Sequence, residues 1–244
     1  MTVRVERSTG TASYSVDTKA QQTVLDVLFY IQNELDETLS FRCSCRVGMC
    51  GSCGMVINGK EGLACRTGLD RLGPVVTLQP MRHQGRIKDL VVDMGDFFSK
   101  YEAVRPYLTP RPEVQDPIVA SPRSKLREAI DLGLECISCG LCLSACDVMT
   151  AVPEFLGPAA LNRAYNLIAD VRDDARDRRL AVVGQARSGV WQCHTHMSCV
   201  EVCPKNIAPT RAIAQLKQKL IVRRFMGHRE RPIPKLQHIV KEGG

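Results

Sequence analysis

The chain has 244 residues, 44% of them apolar but only 5% aromatic, and a net charge of +7; that length accommodates two domains, each with a modest core. No stretch approaches the roughly 20 consecutive apolar residues that span a bilayer, which argues against a membrane crossing by this chain. A Gly-x-Gly-x-x-Gly dinucleotide loop, a phosphate loop and a nucleophile paired with a base are also missing, so any substrate chemistry is expected on another polypeptide.

Residues 2–6 and 12–16 alternate in strand fashion across Thr9-Gly10-Thr11 and predict a hairpin. The N-terminus thus begins like a strand and not like a secretory signal. Val24, Leu25, Val27, Leu28, Ile31 and Leu35 follow at near-helical spacing with no proline or glycine over 23–35, so one helix should pack on a small sheet. Next comes Cys45-x4-Cys50-x2-Cys53-x11-Cys65, close to the plant-type ferredoxin spacing for a 2Fe-2S cluster. Thiolates are soft donors that hold iron in both oxidation states. Glycines 48, 51 and 54 allow positive φ and let backbone N–H groups reach the sulfurs, which tunes the reduction potential. Residues 55–57 enter a tight turn at Asn58-Gly59, and residues 75–78 supply a further strand. The elements predict a β-grasp 2Fe-2S ferredoxin-type domain over 1–105. Cys43, two residues before Cys45, alternates away from it and is expected to be a bystander thiol.

Five prolines between Pro106 and Pro122 mark a linker over 106–122 that can be neither helix nor central strand. Beyond it Cys136-x2-Cys139-x2-Cys142-x3-Cys146 is the bacterial ferredoxin run, whose fourth cysteine belongs to the other cluster of a pair. Counting back by the same spacing from Cys203-Pro204 meets Cys199, then His196, then Cys193. Cys136, Cys139, Cys142 and Cys203 then form a complete 4Fe-4S set. Cys146, Cys193 and Cys199 remain, three thiolates with a vacant corner, as a 3Fe-4S cluster needs. Residues 124–132, 159–171 and 210–225 are helical by pattern, the last with Pro209 at its start. The chain is therefore read as α+β, with a C-terminal all-α helical ferredoxin domain over 123–244.

From residue 211 to the end there are nine Lys and Arg against two acids, which equals the net charge of the whole chain. Phe225 is the single aromatic there, so nucleic acid is an unsuitable partner and an anionic membrane face a better one; a plain solvated face is the bland alternative. Disulfides suit small secreted chains rather than this one. Zinc would accept Cys-x2-Cys pairs, but in two separate blocks and not in a continuous run.

At this point the chain resembles the iron-sulfur subunit of succinate dehydrogenases and fumarate reductases. The resemblance rests on Ser44 to Cys53 with Asn58-Gly59 and Leu63-Ala64-Cys65, on Glu135-Cys136-Ile137 and the cysteines after it, on Gly157-Pro158-Ala159, and on Cys199 to Cys203-Pro204-Lys205-Asn206. It implies a relay. A flavoprotein subunit with bound FAD oxidises succinate to fumarate, and the 2Fe-2S, 4Fe-4S and 3Fe-4S clusters carry the electrons singly to a quinone beside a transmembrane anchor subunit. Fumarate reductases use the same parts in reverse. The implied location is peripheral, on the cytoplasmic face of the membrane. A free-standing multi-cluster electron carrier would retain the same cysteines without fixed partners, and an enzyme using an open cluster corner as Lewis acid would need polar residues around Cys146, Cys193 and Cys199.

Two positions depart from the family. The tryptophan that follows the fourth cysteine of the run in many members is replaced here by Asp147-Val148-Met149-Thr150-Ala151. His194, by contrast, matches a family histidine near the quinone, which makes it the candidate for a quinone or proton-handling contact; a histidine that only orients its neighbours is the alternative. The second departure is His196, where the family commonly has an apolar residue. Imidazole is an accepted iron donor, so His196 could ligate a fourth iron, while the three cysteines alone favour 3Fe-4S.

Overall fold

Strand β1 (Thr2–Arg7) buries Val3 and Val5 and pairs antiparallel with β2 (Gly10–Ser15), as the alternation predicts. Helix α1 (Val24–Tyr30) starts on a reciprocal cap in which Thr23 Oγ1 accepts from the Asp26 amide and the Asp26 carboxylate accepts from the Thr23 amide. It continues into a π turn at Ile31–Leu35, so the helix expected over 23–35 is present but widens at its end. The computed structural model describes residues 1–111 and 123–226; residues 112–122 of the proline-rich stretch and 227–244 of the basic tail lie outside the described residues.

Strands β3 (Gly54–Ile57) and β4 (Lys60–Leu63) meet at Asn58 and Gly59, with φ of 49° and 83°, the left-handed pair that a two-residue hairpin turn requires. Strand β5 (Val75–Gln79) inserts between β1, to which it is parallel, and β3, to which it is antiparallel, giving the order β2-β1-β5-β3-β4. Val24, Leu25, Val27 and Leu28 of α1 pack with Val3, Val5, Val76 and Leu78 of the sheet in one core. A two-stranded ribbon of β6 (Arg86–Lys88) and β7 (Val91–Val92) escaped the sequence pattern because it is short and β6 is exposed throughout.

Arg7 ties the sheet to the loops around it. Its guanidinium donates to the Tyr14 hydroxyl (2.7 Å) and the Thr38 hydroxyl (2.9 Å), pairs with Asp36 (2.5 Å) and faces Asp89 at 3.0 Å. Asp89 also accepts from the amides of Ser8 and Ser40. The Thr38 hydroxyl, the Tyr14 hydroxyl and Arg7 hold the Asp36 carboxyl well below the usual range. Burial pushes Asp89 up, but Arg7 and the two amides outweigh it and the net shift is downward. A carboxyl depressed in the folded state stabilises fully above its unfolded pKa of about 4, and that contribution is lost as pH falls through the folded value. Thermal unfolding followed against pH should therefore show Tm falling below about pH 4. Asp89→Asn should lower Tm at neutral pH and flatten that acid limb; an acid limb of unchanged slope would count against this network.

Helix α2 (Gly95–Ala103) turns Phe97, with Val104 behind it, into a second core. That core is built with α4 (Leu141–Ser144), α5 (Val148–Ala151), α6 (Gly157–Ala169), α7 (Arg176–Val183) and α9 (Pro209–Met226), while α3 (Lys125–Leu134) packs on α6, and α8 (Ser198–Glu201) on α4 and α9; α6 stands at the centre against α3, α7 and α9. Helices α3, α6 and α9 match the three expected from the pattern to within two residues at each end. The remaining helices carry no such pattern. Helices α4, α5 and α8 have four residues each, too few for a periodicity, and α7 puts its polar residues in its first half and its apolar ones in its second, without helical alternation.

The two halves share packing. Leu141, Ala145 and Val202 of the helical half join the core of the sheet half, and the buried Ser144 hydroxyl donates to Glu61 (2.9 Å) and accepts from the Arg82 amide (2.8 Å). The described start of the proline-rich stretch is held against the helices: Arg163 donates to the Pro106 carbonyl, Arg179 to the Tyr107 carbonyl, the Thr109 amide to Asp173, and Arg111 to the Val171 carbonyl.

Candidate metal centres

The loop before β3 gathers the first donor set. The amides of Met49 and Cys50 donate to Cys45 Sγ at 3.1 and 3.3 Å, and the Cys45 amide points at Cys50 Sγ at 3.5 Å. Such N–H groups stabilise charge on sulfur. Arg46, Gly48 and Gly51 all take positive φ, which folds the loop back on itself. Cys65 reaches the same place from the short turn Ala64–Arg66 after β4, whose Ala64 amide donates to the Cys53 carbonyl (3.1 Å). Cys53 and Cys65 are buried, Cys45 is half-buried and Cys50 exposed, so this set opens to the surface on one side. Cys43 is half-buried and packs against the sheet core.

Two cavities in the helical half hold the other cysteines. One is lined by Cys136, Cys139, Cys142 and Cys203, together with Ala159, Asn162 and Lys205. The other is lined by Cys146, Cys193 and Cys199, with His194, His196 and Asp147. The division is the one that the cysteine spacing predicts. The start of α6 stands between them, Ala159 facing the first cavity and Pro158 the second. Gly157 enters that turn at φ 83°, a conformation that favours glycine, and a Cβ there would also displace Leu143 Cδ1, 2.5 Å away. This gives Gly157-Pro158-Ala159 a physical role that the sequence does not display.

The electrostatics of the thiols fit a cationic occupant. Burial pushes the Cys53 thiol up to about 12, Cys139 up to about 11 and Cys199 up to about 12, and neighbouring cysteines add to each. Cys142 is raised as well, by burial first and then by four surrounding cysteines. Cys50 goes the other way, to about 6, because the Ser52 hydroxyl and the amides of Cys45 and Ser52 donate to it. Thiolates crowded in this way repel one another until positive charge arrives. Iron would supply that charge, deprotonate the set and release protons on binding. Among the described residues no three His, Cys, Asp or Glu side chains converge on one point as they would around a single ion.

The first and second sets touch. A Cβ on Gly51, at φ 75°, would lie 2.5 Å from Cys139 Cβ and 2.9 Å from Cys139 Cα. Gly54, at the start of β3, would meet Leu141 at 3.2 Å in the same way. Glycines thus bring the first cysteine loop against the backbone of the second.

Sequence reasoning missed three side chains at these centres. Asn162 is buried beside the four-cysteine cavity and donates to the Gly133 carbonyl (3.0 Å). Lys205 reaches the same cavity and lies 3.8 Å from Glu135. Asp147 faces His196, its Oδ2 3.6 Å from Nδ1. Only the position of Asp147, directly after Cys146, signals its role in advance.

A model of 2Fe-2S iron-sulfur cluster binding domains matches residues 2–99, and a model of 4Fe-4S dicluster domains matches residues 133–207. The succinate dehydrogenase iron-sulfur subunit of Paracoccus denitrificans is 40% identical over 216 residues, covering 86% of this chain and 82% of the relative. Among solved structures, a chain of the Mycobacterium smegmatis Sdh1 complex in the apo form superposes with a TM-score of 0.83 at 28% identity, over 92% of this chain and 96% of that one. A hypothetical protein from Helicobacter pylori superposes at 0.54 with 17% identity, over 95% of this chain and 41% of its own, and shares the fold alone.

Proposed function

The chain belongs to the iron-sulfur subunits of succinate dehydrogenase, an electron-transfer function, and from that membership we propose the route the electrons take. Cys45, Cys50, Cys53 and Cys65 hold the 2Fe-2S cluster, Cys136, Cys139, Cys142 and Cys203 the 4Fe-4S cluster, and Cys146, Cys193 and Cys199 the 3Fe-4S cluster. When bound, these clusters supply one-electron redox chemistry. The rest is done by the chain: it orders the three donor sets and directs N–H groups at sulfur in the first of them. The observation that carries the reading is the contiguity of the sets, with Gly51 against Cys139 and the start of α6 between the second and third.

The two ends suit different partners. At the first set Cys50 is exposed beside exposed Val47 and Met49, a surface for the FAD-containing flavoprotein that converts succinate to fumarate. At the third, Trp191 and Met197 are exposed near His194, which we assign as the quinone or proton-handling contact. Trp191, two residues before Cys193, brings an indole to this end although none follows Cys146. Among the described residues no helix is long and apolar enough to cross a membrane. Helix α9 instead exposes Ile221, Val222 and Phe225 beside Arg223 and Arg224, which supports peripheral contact with a transmembrane anchor and an anionic cytoplasmic membrane face. In this division residues 1–105 and 123–244 are the cluster-bearing domains and 106–122 joins them.

Low-temperature electron paramagnetic resonance during a redox titration of the membrane-extracted complex tests the route. A 3Fe-4S signal in the oxidised sample, two further clusters on reduction and a co-purifying flavin are expected. The potentials decide between succinate oxidation and fumarate reduction as the favoured direction. A chain that purifies alone from the soluble fraction with its clusters intact would overturn the partnership.

A further inference from the structure

We infer that His196 is a resident donor for a fourth metal ion at the three-cysteine centre, so that a 3Fe-4S core there takes up ferrous iron and becomes a 4Fe-4S core with one imidazole ligand. The inference rests on the assignment of Cys146, Cys193 and Cys199 to that core. His196 lines the same cavity as the three cysteines and occupies the slot where the ferredoxin spacing asks for the missing one. Thr195 and Met197 on either side take φ of 62° and 70°. A β-branched residue pays a steric penalty in that region, so the loop adopts an unfavourable backbone to set the direction of the residue between them.

Asp147 supplies the second half of the argument. Its Oδ2 lies 3.6 Å from His196 Nδ1, beyond a direct hydrogen bond, so the carboxylate stands on the Nδ1 side of the ring and Nε2 is the nitrogen turned away from it. A carboxylate behind one ring nitrogen is the usual support of a metal-bound histidine, because it fixes the tautomer and leaves the lone pair on the other nitrogen, here Nε2. Asp147 is the next residue after Cys146, so the carboxylate is held by the same turn as one of the three thiolates. Both side chains are more than half exposed, at 54% and 70%, which leaves the corner open to an ion from solution. Imidazole beside thiolates suits Fe2+, Co2+ or Zn2+ and not Mg2+ or Ca2+.

The step balances without an unnamed reactant. The one-electron-reduced core, [3Fe-4S]0, combines with Fe2+ to give [4Fe-4S]2+. The new bonds run from core sulfides and from the Nε2 lone pair to the incoming iron, and the leaving groups are its water ligands. The reducing electron comes from the relay itself or, in the assay, from dithionite.

The test is made on the intact complex under anaerobic conditions. It is reduced, incubated with ferrous ion, desalted and mildly reoxidised, with the oxidised 3Fe-4S resonance and the native mass of the subunit read before and after. Wild type should lose most of the resonance and gain the mass of one iron, while His196→Ala keeps its resonance and mass through the same cycle. Asp147→Asn should still convert, but at an iron concentration about 10–100-fold higher, the usual cost of removing such a support. Wild type isolated already without the resonance, alongside His196→Ala that displays it, carries the same meaning. Wild type and His196→Ala behaving alike overturns the inference. Absence of the resonance from His196→Ala before iron is added overturns instead the three-cysteine assignment beneath it.

Discussion

Arg179→Ala is expected to destabilise the protein by about 3–5 kcal/mol, the cost of leaving a buried charge without its partner. The side chains of Arg179 and Asp173 are both fully buried and paired. Asp173 also accepts from the Thr109 amide and the Ala175 amide, each at 2.9 Å, and Arg179 donates to the carbonyls of Arg105 (3.0 Å) and Tyr107 (2.6 Å). Removing the guanidinium leaves a fully buried carboxylate without its cation and takes a donor from two partly buried carbonyls. The contrast is Arg187–Glu154, 86% and 50% exposed, where truncation should cost ~1 kcal/mol or less. For a chain of this size the Arg179 effect corresponds to a fall in Tm of roughly 6–20 °C. Arg179→Lys restores the charge but not the planar fork, and should recover only part of the loss. Limited proteolysis gives an independent readout, because residues 105–109 lose their anchor and should become cleavable before the helices do. A fall of under about 2 °C with an unchanged cleavage pattern would refute this role.

The same anchor shows where the sequence was legible and where it was not. Patterns that depend on one chain segment came through: the Val3 and Val5 alternation, the Asn58-Gly59 turn, and the apolar spacing of α1, α6 and α9 are each decided by residues within a few positions of one another. The cysteines that line each of the two cavities are those that the short spacings and the Cys203-Pro204 ending set apart, and their assignment to clusters rests on that spacing. What could not be read depends on distant partners. Nothing around Arg179 distinguishes it from Arg178 next to it, yet one is buried against Asp173 and backbone carbonyls far earlier in the chain. Proline content marks residues 106–111 as non-helical, but not that Arg163, Arg179 and Asp173 would hold them. Nor does the glycine content around Cys50 reveal which glycine serves the turn and which serves a neighbour.

That last distinction can be measured. Gly51 and Gly59 have nearly the same backbone conformation, φ of 75° and 83°, but different surroundings: a Cβ on Gly59 meets nothing within 4 Å, whereas one on Gly51 lies 2.5 Å from Cys139 Cβ and 2.9 Å from Cys139 Cα. Gly59→Ala therefore reports the cost of a left-handed conformation alone, about 1–2 kcal/mol. Gly51→Ala carries the same cost plus a clash that no rotamer change relieves, because the Cys139 atoms are held by the backbone of the second cysteine run. The loop of Cys45, Cys50 and Cys53 must then move away from Cys139, or Cys139 from it. Either displacement lengthens the path between the proposed 2Fe-2S and 4Fe-4S clusters. Rapid-freeze paramagnetic resonance after succinate addition should show normal reduction of the 2Fe-2S cluster but several-fold slower arrival of electrons at the 4Fe-4S cluster in Gly51→Ala. Gly59→Ala should transfer at the wild-type rate despite its lower stability. Equal losses of stability in the two variants, with unchanged transfer in both, would mean that the close approach of Gly51 to Cys139 plays no part in the relay.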